Sequence, residues 1–352
     1  MKILPNITSL RFFLAIIVVI FHLPEFCSKH NIPFYNLLPI FHKGAEAVNV
    51  FFSLSGCLII RQLYIEKKTT NTISLKKFFL RRVLRIFPLY FLILFFGLLY
   101  YNIILPKFGF SFDSNYNLYE GLLLSLFFLP NVFVFLYSPG GIIEVLWSIG
   151  VEEQFYLFIA PIVFFLPAKR TILFLLIFTL TFFSIFFYEG TPLFRKFGMY
   201  FFYFTSSGLF SILLLKQTFL SIYKAALYVL CFIFIIYFTT NVFINYFSVE
   251  AYHFFSMMLF SIVISLMTLS PLRLLENKLL IYLGKISYGI YMYHSIVIQL
   301  IGLIYLKVFS KFYFDKSIVV VLYNFIVIIV TILISHLSYK YYELYFIKKK
   351  KH

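Results

Sequence analysis

An all-α, polytopic integral membrane protein with about ten transmembrane helices is the fold the sequence predicts, and three observations predict it. Of its 352 residues 62% are hydrophobic and only 12% are charged, with mean hydropathy +0.96. A soluble domain of that composition would have a mostly apolar surface, which folded soluble proteins avoid. Apolar stretches near the roughly 20 residues that cross a bilayer recur from end to end. Lysine and arginine collect between those stretches, as they do in cytoplasmic loops. The +17 formal charge therefore reads as topogenic loops meeting anionic membrane lipids. A nucleic-acid reader would gather its basic residues on one soluble face, so nucleic acid is excluded as a partner.

Taken in order, the spans are expected near residues 8–25, 44–61, 86–104, 144–166, 171–188, 197–215, 223–242, 253–270, 287–306 and 317–338. Residues 120–137 form an eleventh candidate, interrupted by Pro130 and Asn131 and followed by Gly140 and Gly141. Charge arbitrates. The segment 61–85 holds Arg61, Lys67, Lys68, Lys76, Lys77, Arg81, Arg82 and Arg85 and belongs in the cytoplasm. Ten spans then also place Lys169, Arg170, Lys216, Lys224, Arg273, Lys278 and the tail Lys348–Lys351 inside; eleven would turn all of these outward. Ten is the expectation, with both termini cytoplasmic and residues 120–137 re-entrant or interfacial on the outer side. Arg195, Lys196, Lys307, Lys311 and Lys316 run against the bias without reversing it. Residues 1–345 form one membrane domain and 346–352 a basic cytoplasmic tail. No small-x-small cleavage site follows the first apolar run after Lys2, so it reads as a retained helix. Cys27, Cys57 and Cys231 are too few and too scattered for a disulfide framework or a metal site.

Polar islands inside the apolar spans carry the chemistry, because an ionisable group at membrane depth costs roughly 2.5–3.5 kcal/mol or more. Arg11 and His22 sit eleven residues apart in the first span, within about 20° on one helix face and about 16 Å apart along it. In the second span Glu46, Asn49, Ser53 and Gly56 make one polar, small stripe, which helix packing alone would also explain. At the mouth of the third, Arg82 and Arg85 share a face suited to gripping phosphates, although lipid-snorkelling basic loops look similar. Trp147, Ser148, Glu152 and Glu153 interrupt the fourth, and at most one of the adjacent acids faces Ser148. Around the ninth span Lys285 precedes Ser287, Tyr291 and His294 at i, i+4 and i+7. His22, Glu46, Asn49, Ser148, Glu152 and Glu153 thus fall toward the outer ends of their helices. Arg11, Arg61, Arg82, Arg85, Lys285 and Ser287 fall toward the cytoplasm. An acid–base cluster outside and a cationic cluster inside suit an enzyme that takes a polyanionic donor from within and modifies an acceptor outside.

These islands resemble the motifs of the membrane-bound acyltransferase-3 family. The matching stretches are the arginine and histidine of the first span, A-V-N-V-F-F-S-L-S-G-C-L-I, R-R-V-L-R-I-F-P-L-Y, L-W-S-I-G-V-E-E-Q-F-Y-L and L-G-K-I-S-Y-G-I-Y-M-Y-H. They keep the family's order from Leu10 to about Glu343. The resemblance implies a ten-helix protein that O-acylates a surface glycan or lipid-linked saccharide in the bacterial cytoplasmic membrane. Acetyl-coenzyme A would be the co-substrate, with no metal and no tightly bound cofactor. It implies that His22 is the catalytic histidine with Arg11 its partner, that Arg82 and Arg85 lie near the coenzyme A site, and that Trp147, Ser148 and Glu152 form the W-S-x-x-x-E element. Asn49 stands where the family often has aspartate, and Tyr345 where it often has proline.

The reading is therefore an acyltransferase in which Arg82 and Arg85, with Lys285, hold the donor, and its arm passes Arg11 in a single cavity. His22 acts as general base or carries the acyl group, Glu152 orients the imidazolium, and Ser148 or Asn49 donates to the oxyanion. Glu46, Trp147, Glu153, Ser287 and His294 line the cavity. The competing class is a non-enzymatic glycolipid flippase with a polar translocation path, though no internal repeat supports it. A third reading, the unrelated membrane-bound O-acyltransferase type with His294 as its histidine, leaves Arg11 and His22 unexplained.

Overall fold

The computed structural model describes residues 4–110, 115–216 and 220–349; Lys2, Lys350 and Lys351 lie outside them, and the Lys216 side chain is not described. Every regular element among the described residues is helical. The long helices are α1 (Pro5–Lys29), α2 (Gly44–Thr70) and α3 (Leu75–Leu99). Two short helices, α4 (Leu118–Leu126) and α5 (Pro130–Tyr137), precede a one-turn α6 (Gly141–Glu144) and then α7 (Trp147–Phe165). There follow α8 (Ala168–Phe187), α9 (Phe201–Leu213), α10 (Leu220–Thr239), α11 (Val249–Met267), α12 (Lys278–Lys285), α13 (Ser287–Lys307) and α14 (Lys316–Ser338). Among the described residues nine helical stretches are long and apolar enough to cross a membrane, and α9, at 13 residues, is shorter.

Contacts at the helix ends show that α9 nonetheless runs between the same two faces as the other nine. On the face that holds the N-terminus, Asn6 donates to the carbonyls of Met267 and Ser270 at the end of α11. There too Lys67 of α2 reaches the end of α7, and Ser335 of α14 meets Gly289 of α13. On the opposite face Phe21 of α1 meets Gly44, and Tyr237 of α10 stacks on Tyr252 of α11 at 5.5 Å. Tyr200, just before α9, packs on Phe186 at the end of α8, and Tyr323 of α14 bonds the Ile298 carbonyl. Among the described residues ten helices thus run between the two faces, which brings the start of α1 and the end of α14 to one face, the terminal face.

Residues 120–137 do not cross. Nine and eight residues are too short for a hydrocarbon core of about 30 Å, and Phe128, with φ +58°, turns the chain between α4 and α5. The hairpin enters from the opposite face and reaches mid-membrane, where Tyr90 of α3 donates to Ser125 O at 2.8 Å. Gln154 of α7 donates to Phe128 O and Asn131 Oδ1, both at 2.8 Å. A backbone reversal at membrane depth is tolerated only where protein groups satisfy it, and these do so.

Small residues set the closest approaches. A Cβ on Gly56 would lie 2.0 Å from the Phe204 carbonyl oxygen, so α2 and α9 touch backbone to backbone. A Cβ on Gly284 would lie 1.8 Å from Thr8 O, which seats α12 against α1. Phe52, Phe204 and Phe155 stack at 4.8 and 4.3 Å, filling the space between α2, α9 and α7 behind the site.

Candidate active site

Five helices converge on a cavity of about 170 Å³ that lies toward the terminal face. Arg11 enters from α1, Ser55 and Gln62 from α2, Arg82 and Arg85 from α3, and Ser287, Tyr288 and Tyr291 from α13. From α7 come Ser148, Glu152 and Tyr156, which fall at i, i+4 and i+8 and so share one face. Glu152 is held at both oxygens: Ser55 Oγ donates to Oε1 and Tyr156 Oη to Oε2, each at 2.9 Å. The Arg82 guanidinium lies 5.9 Å from the centre of the Tyr156 ring, and its Nε is buried without a hydrogen-bond partner. Among the described residues none of Arg11, Arg82 or Arg85 is in an ion pair. Three guanidinium groups thus face one carboxylate already committed elsewhere, an arrangement that favours a multiply charged anion.

His22 is not in this cavity. It lines a second one, about 410 Å³, toward the opposite face, together with Glu25, Lys29, His30, Tyr101, Glu144, Ser295 and Gln299. The two cavities share no lining residue, so the single compartment expected from the common face of Arg11 and His22 is divided. The partition lies at α13. His294 is buried there, its ring stacked on that of His22 with centroids 5.2 Å apart. Its Nδ1 bonds the Tyr291 carbonyl, which only accepts, so the proton sits on Nδ1 and the buried Nε2 is a bare acceptor without a partner. Tyr291 Oη donates to Val145 O at 3.2 Å and lies 2.7 Å from Ser148 Oγ, so the serine must supply the proton of that second bond.

Several expected roles change as a result. Glu152 sits among the arginines and Ser148, so it does not orient His22; the acid within ion-pair distance of that ring is Glu25, with Oε2 3.6 Å from His22 Nδ1. The Ser148 proton is spent on Tyr291, which leaves none for an oxyanion in this arrangement. Glu46 does not line either cavity: it is buried, accepts from Tyr252 Oη at 2.8 Å and pairs with buried Lys43 at 3.5 Å. Asn49 is buried with Oδ1 unpartnered and also lines neither. Glu153 is buried away from both cavities, and Trp147 packs edge-on against Phe52 at 5.9 Å and against Gly198. Lys285 is exposed at the end of α12 and does not reach the arginines, whereas Ser287 lines their cavity.

The residues that pattern reading passed over are Tyr156, Gln62, Glu25, His30 and Glu144. Helical spacing held the signal for two of them, since Tyr156 is i+4 from Glu152 and Glu25 is i+3 from His22. Glu144 and His30 carried none, because only the tertiary fold brings α6 beside the end of α1. His30, just beyond α1, is held below the ordinary imidazole range by partial burial and by the Lys29 charge.

Comparison with known proteins gives one family. The family model described as an acyltransferase domain matches residues 4–340. Over 313 residues the chain is 29% identical to a protein named putative acetyltransferase ORF330 from Acidianus two-tailed virus, covering 85% of each. It is 28% identical over 164 residues to the peptidoglycan O-acetyltransferase OatA of Listeria monocytogenes serovar 1/2a, which covers 44% of this chain and 23% of that protein. No solved structure matches it.

Proposed function

The chain belongs to the acyltransferase-domain family, and on that premise we propose that it transfers an acetyl group from acetyl-coenzyme A to a hydroxyl of a surface glycan or lipid-linked saccharide. It would do so in a bacterial cytoplasmic membrane, with the terminal face inward, as the basic loop between α2 and α3 favours. The observation that carries the reading is the convergence of Arg11, Arg82 and Arg85 on a cavity with one engaged carboxylate. Such a site holds the phosphates of a nucleotide thioester by charge-assisted hydrogen bonds. Arg11 and His22 lie eleven residues apart on α1, about 16 Å, a span that an extended thioester arm covers once it passes Tyr291.

In the opposite cavity an acceptor hydroxyl meets His22. Its oxygen attacks the thioester carbonyl carbon while its proton passes to Nε2 of the imidazole. Collapse of the tetrahedral intermediate breaks the C–S bond, and the departing thiolate takes the proton back from Nε2. The products are the ester and free coenzyme A, and His22 returns to its neutral form. No nucleophilic side chain is needed for this sequence, which makes direct transfer the simplest scheme.

The test is steady-state turnover of acetyl-coenzyme A by the purified protein in nanodiscs. Arg82→Ala and Arg85→Ala should each raise the donor KM about tenfold or more, since a hydrogen bond to a charged group is worth about 1.5–3 kcal/mol. His22→Ala should abolish turnover with donor binding retained. Unchanged donor KM in the double arginine variant would remove the donor from this cavity.

A further inference from the structure

We infer that Glu25 is the positioning residue of the base: it holds the His22 ring by Nδ1 and stabilises its protonated form, leaving Nε2 to the acceptor. This rests on the acyl-transfer reading of the His22 cavity. His22 and Glu25 are i and i+3 on α1, and Glu25 Oε2 lies 3.6 Å from His22 Nδ1. The other oxygen, Oε1, accepts from Lys29 Nζ at 2.8 Å, so the carboxylate is pinned from the far side and turned toward the ring. A carboxylate only accepts; at 3.6 Å it is in ion-pair reach of Nδ1, and the small ring rotation that closes the gap to hydrogen-bond distance selects the tautomer with the proton there and a bare Nε2. The His294 ring, stacked 5.2 Å away, covers one face of the imidazole and limits its rotation.

The other groups facing His22 do not supply this function. Glu144, from α6, lines the same cavity with Oε1 3.3 Å from the Gly140 N–H. Lys29 ends α1 and His30 follows just beyond it, and neither carries a negative charge. His294 on α13 turns its proton to Tyr291 O. Glu152 and Asn49 do not face His22: Glu152 is bound to Ser55 and Tyr156 in the other cavity, and Asn49 lines neither. Glu25 is thus the acid in ion-pair reach of the histidine, and its side chain is half exposed to the cavity. The proton cycle closes without it changing state: Nε2 gains the acceptor proton, the imidazolium charge is balanced by Glu25, and Nε2 gives the proton to the leaving thiolate.

Two readouts on the full-length protein in nanodiscs test this. The first is the rate of diethyl pyrocarbonate modification of His22 at a fixed pH, with the site located by peptide mass spectrometry. Glu25→Gln should slow this modification at least about twofold, because the neighbouring carboxylate favours the ring form in which Nε2 is bare and reactive. Lys29→Met, which leaves the carboxylate in place, should not slow it. The second is acetyl-coenzyme A turnover: Glu25→Gln should lower kcat at least about tenfold with donor KM within about twofold, the acid limb of the pH–rate profile should move to lower pH, and Glu25→Asp should recover part of kcat. A His22 modification rate unchanged in Glu25→Gln overturns the proposal, as does a slowed modification with unchanged kcat. If Glu25→Gln fails to fold, Glu25→Asp and Lys29→Met still read the pair. Absence of turnover in the unaltered protein would refute the acyl-transfer reading instead, and the modification experiment would still report on the pair.

Discussion

Glu152 meets three arginines through a carboxylate that is already bonded to Ser55 and Tyr156. Its physical effect there is to offset one of three positive charges. Replacing it by glutamine removes that charge while its amide oxygen can still accept from Ser55. At an effective dielectric near 20 the charge is worth on the order of 1 kcal/mol or more toward each arginine's partner, so Glu152→Gln should tighten free coenzyme A about fivefold, measured by calorimetry. Weaker binding would mean that Glu152 orders the arginines more than it offsets them. Lys43 shows the opposite use of buried charge. Its ammonium lies 3.5 Å from Glu46 and 3.1 Å from Tyr252 Oη, with the Tyr237 and Tyr252 ring centres at 5.1 and 5.4 Å. Removing one partner of such a pair costs about 3–5 kcal/mol, so Lys43→Met should lower thermal stability sharply.

Helix ends and helix contacts decide what the elements do. Lys67 of α2 is buried and donates to Val163 O at 2.9 Å and Phe164 O at 2.5 Å, two carbonyls in the last turn of α7. A cation at that end also complements the helix dipole. Lys67→Met should therefore cost about 1–3 kcal/mol for each carbonyl left unpaired. The lowered unfolding midpoint would be read by differential scanning fluorimetry. Gly284 has a different function: any side chain there must push α12 off the Thr8 carbonyl. Since α1 carries both Arg11 and His22, Gly284→Ala should lower both the midpoint and the donor affinity. An unchanged midpoint would contradict the backbone contact between α1 and α12.

At the scale of the molecule, the helices that run between the two faces place the arginine cavity toward one face and the histidine cavity toward the other, with α13 between them. The proposal that the terminal face is cytoplasmic is open to a labelling test. In a Cys231→Ala background, with Cys27 and Cys57 buried, a membrane-impermeant maleimide should label Leu37→Cys in intact cells. Lys76→Cys should react only after permeabilisation. Leu37 is 79% exposed in the loop between α1 and α2, so failure to label it from outside would invert the orientation.

Composition and spacing carried much of this to the page without coordinates. Apolar length alone dictates helical spans, because a backbone in lipid must satisfy its own polar groups. Helical period alone puts Ser148 with Glu152 and Arg82 with Arg85, since residues three or four apart share a face. The same period brought Arg11 and His22 to one face of α1 and suggested one cavity. Period, however, says nothing about what packs against that face. His294 and Tyr291 arrive from a helix some 270 residues later and close the space between the two. Glu46 reads like a cavity acid until Lys43 and Tyr252 are seen around it. Which charges are spent on one another and which are left facing open space is a property of long-range contacts, and only the folded chain decides it.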